Sequence, residues 1–241
     1  MPAPVEFGLA FETAMASSTA ESVTINVDDV RVSALLQRPS RAQACFVLAH
    51  GAGAGMQHPF LAAVATELET HGIATLRYQF PYMERRSRRP DSPEICHATV
   101  RAAVAQAARL LPGVPVFAGG KSFGGRMTSQ AQAASSLSGV RGVAFLGFPL
   151  HPPGQPSDAR GQHLFEVQIP MLFLQGTRDE FAELERLEPL IARLGERATL
   201  KLFQDADHSF HVPARSGRKD PEVRSDLTRA LADWIGSVAG R

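Results

Sequence analysis

The segment Gly119-Gly120-Lys121-Ser122-Phe123-Gly124-Gly125 seats one serine among four glycines, directly after the apolar run "VPVFA". Glycine costs conformational entropy in any regular element, so this density points to a sharp turn or a very close backbone approach. Residues 120–124 fit G-x-S-x-G, in which a strand turns abruptly into a helix and exposes one hydroxyl. A serine hydroxyl attacks a carbonyl only when a base takes its proton, and an imidazole is the usual base. The imidazole in turn needs an acid that fixes its tautomer and stabilises its charged form. In sites of this kind the acid and then the histidine follow the serine along the chain.

"IPMLFLQGTRDEF" offers Asp179 just past an apolar strand, with Glu180 expected to begin the next helix. Acidic residues are also favoured at helix N-termini for their own sake. "LFQDADHSFH" offers His208 and His211 after the last apolar strand. His208 directly follows the strand end, so it is the expected base and His211 the decoy. Asp205, Asp207, His208 and His211 also form a short polar cluster, but no further His/Cys group accompanies it to complete a metal site. The expected catalytic residues are therefore Ser122, Asp179 and His208, with no metal and no organic cofactor.

Two backbone N–H groups must receive the oxyanion, one from the residue after the serine and one from an earlier glycine-rich loop. Phe123 and Ala52, the latter within "AHGAGAG", are the expected donors. The glycines of that loop do not match a dinucleotide fingerprint. Gly-Lys-Ser at 120–122 superficially suggests a phosphate loop, but Pro115 stands where its first glycine belongs. Tyr82 and Met83 follow a strand end and are expected to bind substrate. His151, in "FPLHPPG", is placed either at the pocket or as a structural partner of the proline-rich loop. Arg85, Arg86, Arg88 and Arg89 form a basic loop, read as solvated surface or as an attraction for an anionic substrate.

Positioning these groups requires strands that end together. Continuous apolar runs such as "ACFVLAH", "IATLRYQF", "GVAFLGFPL" and "IPMLFLQG" suit strands covered on both faces. Helical patterns such as "PFLAAVATELETHG" and "EICHATVRAAVAQAARLL" alternate with them, which specifies an α/β fold with a mostly parallel sheet flanked by helices. "VTINV" and "VRVSALLQ" around Asp28-Asp29 read as a hairpin, and "YMERRSRRPDSP" as a surface loop. Ligands of such sheets bind beyond the carboxyl ends of the strands, where Ser122 falls. "HPPGQPSDARGQHLFEVQ" is too rich in proline and glycine for a multi-helix lid, so no substantial cap domain and an open site are expected.

The 241 residues, 44% hydrophobic, suffice for one domain over 21–241 behind a flexible N-terminal arm at 1–20. With 25 basic and 24 acidic residues the chain has no general attraction for nucleic acid or membrane. A small-molecule substrate is the expected partner, and monomer and dimer stay open. Cys45 and Cys96 read as reduced core thiols. No apolar run reaches the roughly 18 residues of a membrane span, and the first 20 residues lack a basic leader. A cytoplasmic location is expected.

"HGAGAG", "GGKSFGGRMTS", "QGTRDEF" and "DADHSF" occur in an order that resembles the α/β-hydrolase superfamily over essentially all of the chain past residue 20. "FPYMERR" and "GFPLHPPG" make it look particularly like small dienelactone-hydrolase-like proteins. That group is related to testis-expressed protein 30 and to a subunit of the human NSL histone-acetyltransferase complex. The resemblance implies an eight-stranded sheet and catalytic positions for Ser122, Asp179 and His208. Dienelactone hydrolases use a cysteine where this chain has Ser122, which argues against dienelactone as substrate. A serine carboxylesterase is the expected function. A thioesterase or peptidase of the same fold, or a non-catalytic interaction protein, is the alternative.

Overall fold

Eight strands form one sheet in the order β1-β2-β4-β3-β5-β6-β7-β8 in the computed structural model, which describes residues 20–240. Residues 1–19 of the expected N-terminal arm lie outside the described residues. The hairpin pairs β1 (Glu21–Val27) with β2 (Val30–Gln37), Val27 opposite Val30, and Asp28 takes the positive φ of 47° that the tight turn demands. β2 runs antiparallel to β4 (Ile73–Tyr78). From there β3 (Ala44–Ala49), β5 (Val116–Lys121), β6 (Val140–Leu146), β7 (Met171–Gly176) and β8 (Ala198–Phe203) are all parallel.

The continuous apolar runs are explained by two separate cores, one on each face. Cys45 and Val47 of β3 point to the face covered by α3 (Pro93–Leu110), α4 (Phe123–Ala134) and α5 (Leu184–Leu194). Phe46 and Leu48 point to the opposite face, covered by α1 (Pro59–Thr70) and α6 (Asp220–Ala239). Alternation therefore buries every residue of β3, and period-2 polarity vanishes from its sequence. Both cysteines are buried and unbridged.

Two local expectations need correction. The stretch after β4 is not all loop: Pro81–Glu84 forms a short helix, α2, with proline at its first position, where no N–H is missed. Glu180 does not open a helix. The Asp179 carboxylate accepts the Phe181 N–H (2.8 Å) and closes a turn, so α5 begins only at Leu184. Between β6 and β7 the chain forms a loop and one 3₁₀ segment, Ala159–Glu166, whose Leu164 is buried against α4 and α5. No helix among the described residues is long and apolar enough to cross a membrane.

Candidate active site

Ser122 follows β5, Asp179 follows β7, His208 follows β8, and Gly51-Ala52 follow β3. Because these strands are parallel, all four segments emerge on one edge of the sheet. Ser122 adopts φ 50° and ψ −116°, a conformation rare for a residue with a side chain. The strain is tolerated because the neighbours leave no alternative path. A Cβ on Gly120 would lie 2.5 Å from the Ala49 carbonyl oxygen, and one on Gly124 would lie 2.5 Å from that of His50. The two motif glycines thus let β5 and α4 press against the end of β3, and the turn between them pushes Ser122 outward. α4 starts at Phe123, whose N–H belongs to the first helical turn and has no partner within the helix.

A chain of hydrogen bonds joins the three side chains. The Ser122 hydroxyl lies 2.8 Å from His208 Nε2, and His208 Nδ1 lies 2.7 Å from Asp179 Oδ2. A carboxylate oxygen only accepts, so Nδ1 carries the proton and Nε2 is the bare nitrogen facing the serine. Asp179 is fully buried at its side chain and His208 is 16% exposed. Burial pulls the His208 pKa below its usual value, against the raising effect of its bond to Asp179. The Phe181 ring covers the imidazole, with centroids 4.2 Å apart.

Two supporting groups have no signature in the sequence. Gln175, the penultimate residue of β7, accepts the Phe148 N–H at Oε1 (2.9 Å) and donates from Nε2 to Asp179 Oδ2. The Asp179 carboxylate is thereby held from three directions. His50 lies buried beneath the glycine loop. Phe80 N–H donates to its Nε2 (3.1 Å), so its Nδ1–H donates to the Gly51 carbonyl (2.7 Å). Burial lowers the His50 pKa to about 4, which keeps it neutral in that tautomer. Ala54 N–H also donates to Gly51 O, at 3.2 Å. With its carbonyl held twice, the planar Gly51–Ala52 peptide turns its N–H to the opposite side.

Ser122 and His208 open into a cavity of about 320 Å³, lined also by Ala52, His58, Phe60, Leu61, Lys121 and Phe181. Tyr82, Met83 and His151 do not line it. The Tyr82 side chain is buried, with its hydroxyl accepting from Gly53 N–H (3.2 Å), so it braces the glycine loop from behind. The Met83 side chain approaches Gly55 on the back of the same loop. His151 is buried and structural: Glu183 N–H donates to its Nε2 (3.3 Å), and its Nδ1–H donates to Pro152 O (2.9 Å). The four arginines of the basic loop are exposed and outside the cavity, with Arg85 paired to Asp91. His211 points away from Ser122 and pairs with Asp220 at 2.7 Å. No residue between β6 and β7 roofs the cavity.

Residues 42–236 match the family described as an alpha/beta hydrolase domain. The fold is similar to that of a dienelactone hydrolase from Anabaena variabilis, with a TM-score of 0.75 at 19% identity over 92% of this chain and 99% of the other. A lidless α/β serine hydrolase from Xanthomonas campestris gives 0.70 at 20% identity, over 89% of this chain and 94% of the other. Est1E from Butyrivibrio proteoclasticus gives 0.69 at 15% identity, over 91% and 99%.

Proposed function

This chain belongs to the alpha/beta hydrolase domain family, and from that premise we propose that it is a serine carboxylesterase acting on small or short-chain esters through an acyl-enzyme. The observation that carries the reading is the unbroken hydrogen-bond line Ser122–His208–Asp179 at the mouth of a cavity. Ser122 Oγ attacks the ester carbonyl while His208 Nε2 takes its proton. Asp179 holds the Nδ1–H and offsets the positive charge that the imidazole gains. The Phe123 and Ala52 N–H groups receive the oxyanion, each already directed by a helix start or a pinned peptide. His208 then returns the proton to the leaving alcohol. Water repeats the sequence on the acyl-enzyme and frees the acid. Every step uses groups of the chain itself.

No residue between β6 and β7 covers the cavity, and this favours short acyl groups. A methylene is worth about 0.8 kcal/mol only when it is fully buried, and a cavity of about 320 Å³ lies near the lower end of ligand pockets. The reading is tested with a fluorophosphonate probe and a p-nitrophenyl ester panel on the wild type and Ser122→Ala. Stoichiometric labelling at Ser122, with loss of labelling and hydrolysis in the variant, is expected. A folded wild type that neither labels nor hydrolyses any ester refutes the reading and leaves a non-catalytic role.

A further inference from the structure

One charged side chain beside Ser122 takes no part in the mechanism above. Lys121 ends β5, and its stem passes under the glycine loop, where a Cβ on Gly51 would lie 3.6 Å from Lys121 Cγ. Its ammonium emerges next to the imidazole of His208. A Cβ on Gly147 would lie 3.2 Å from Lys121 Nζ and 3.4 Å from both Cε1 and Nδ1 of His208. Lysine and histidine therefore flank the same small volume, and the bare Gly147 (φ 73°) is what leaves room for both. On its other side Nζ stands 5.7 Å from the Phe210 ring centroid. Among the described residues Lys121 forms no ion pair and no hydrogen bond at Nζ.

Lys121 is half-buried and lines the open cavity, so its ammonium meets water there rather than a paired carboxylate. What sets it apart is its place beside the imidazole that must accept a proton. We propose that Lys121 is a positioning residue acting through His208: its ammonium opposes protonation of the resting imidazole and so keeps Nε2 free for the Ser122 proton. The inference rests on the reading of Ser122 and His208 as nucleophile and base.

The groups facing His208 are Ser122 and Lys121 from the end of β5, Asp179 and the Phe181 ring from beyond β7, and Asp207 of its own loop. His58 opens on the same cavity from the start of α1. Asp179 and Asp207 favour the imidazolium, whereas burial, the largest influence, and the Lys121 charge disfavour it. Lys121 is itself desolvated, which lowers its pKa to about 8 against the pull of Asp179 and Asp207. The sign follows from like charges. Removing the ammonium must raise the His208 pKa and move the acid limb of activity to higher pH. In the wild type, discharge of Lys121 near pH 8 removes the opposition to the imidazolium of the transition state, so a second rise in rate belongs there.

The test is an NMR titration of ¹³C-histidine-labelled full-length protein and of Lys121→Met, with the His208 Cε1 signal assigned by its loss in His208→Gln. The His208 midpoint is expected to rise by about one pH unit in Lys121→Met. The acid limb of kcat/KM should move with it, and the second rise near pH 8 should disappear. An unmoved midpoint in a folded variant overturns the proposal, whatever happens to activity. Lys121→Gln carries the same measurement where the Met variant does not fold. A wild type inactive on all esters sinks the esterase reading, yet the His208 midpoint still decides this one.

Discussion

Asp179→Asn isolates the orienting role of the acid, and the surroundings dictate which way the new amide must face. Oδ1 of Asp179 accepts the Phe181 N–H at 2.8 Å, so the amide oxygen of asparagine has to stay there. Its NH₂ then takes the Oδ2 position, opposite His208 Nδ1 and the Nε2 of Gln175. Gln175 cannot flip in response without losing the Phe148 N–H bond at Oε1. The asparagine NH₂ therefore donates to His208 Nδ1 and drives the imidazole to its other tautomer, with the proton on Nε2 facing Ser122. That nitrogen can no longer accept the serine proton. A wrong-tautomer defect of this type costs about 10⁴-fold in kcat in a dissected serine protease, equivalent to about 5.5 kcal/mol of barrier. Substrate binding does not involve the side chain, so KM should change little. The assay is steady-state hydrolysis of p-nitrophenyl butyrate near neutral pH, with a thermal melt to confirm the fold. A loss below tenfold in a folded variant would refute the tautomer argument and with it the assignment of Asp179.

Three further outcomes are expected. His208→Ala should lose on the order of 10⁴- to 10⁶-fold in kcat, whereas His211→Ala should keep most activity, because His211 is exposed and bonded to Asp220. The reverse ranking in the same ester assay would show that the wrong histidine has been chosen. On p-nitrophenyl esters kcat/KM should peak between acetate and butyrate and fall by octanoate, since no residue between β6 and β7 covers the cavity; a steady rise through decanoate would demand an acyl tunnel. Gln175→Leu should leave Asp179 short of one donor and lower kcat more than it raises KM, and a pure KM effect in the ester assay would contradict its placement behind the acid.

Much of the architecture was legible in the chain because burial on two faces and burial on one leave different patterns. "ACFVLA" carries no polar alternation, and the two cores packed against β3 are the cause. The elbow was legible too: glycines at 120 and 124 answer to contacts with β3 that no side chain would survive. Parallel strands end on one edge, so residues just past β5, β7 and β8 were bound to converge, and chain order alone made Ser122, Asp179 and His208 candidates.

Tertiary contacts decided what loops and buried polar groups do. Periodicity says that a residue is near a strand end, not which way its side chain turns. His208 and His211 share one loop, and only the position of Asp220 at the start of α6 draws the second away. Tyr82 and His151 also follow strand ends, yet hydrogen bonds to Gly53 and Glu183 hold them inside rather than at the cavity. Gln175 and His50 left no local signal, because each is held by backbone of another segment, at Phe148 and Phe80. Lys121 left none either, because the imidazole beside it comes from beyond a different strand. Such information is not contained in a one-dimensional pattern.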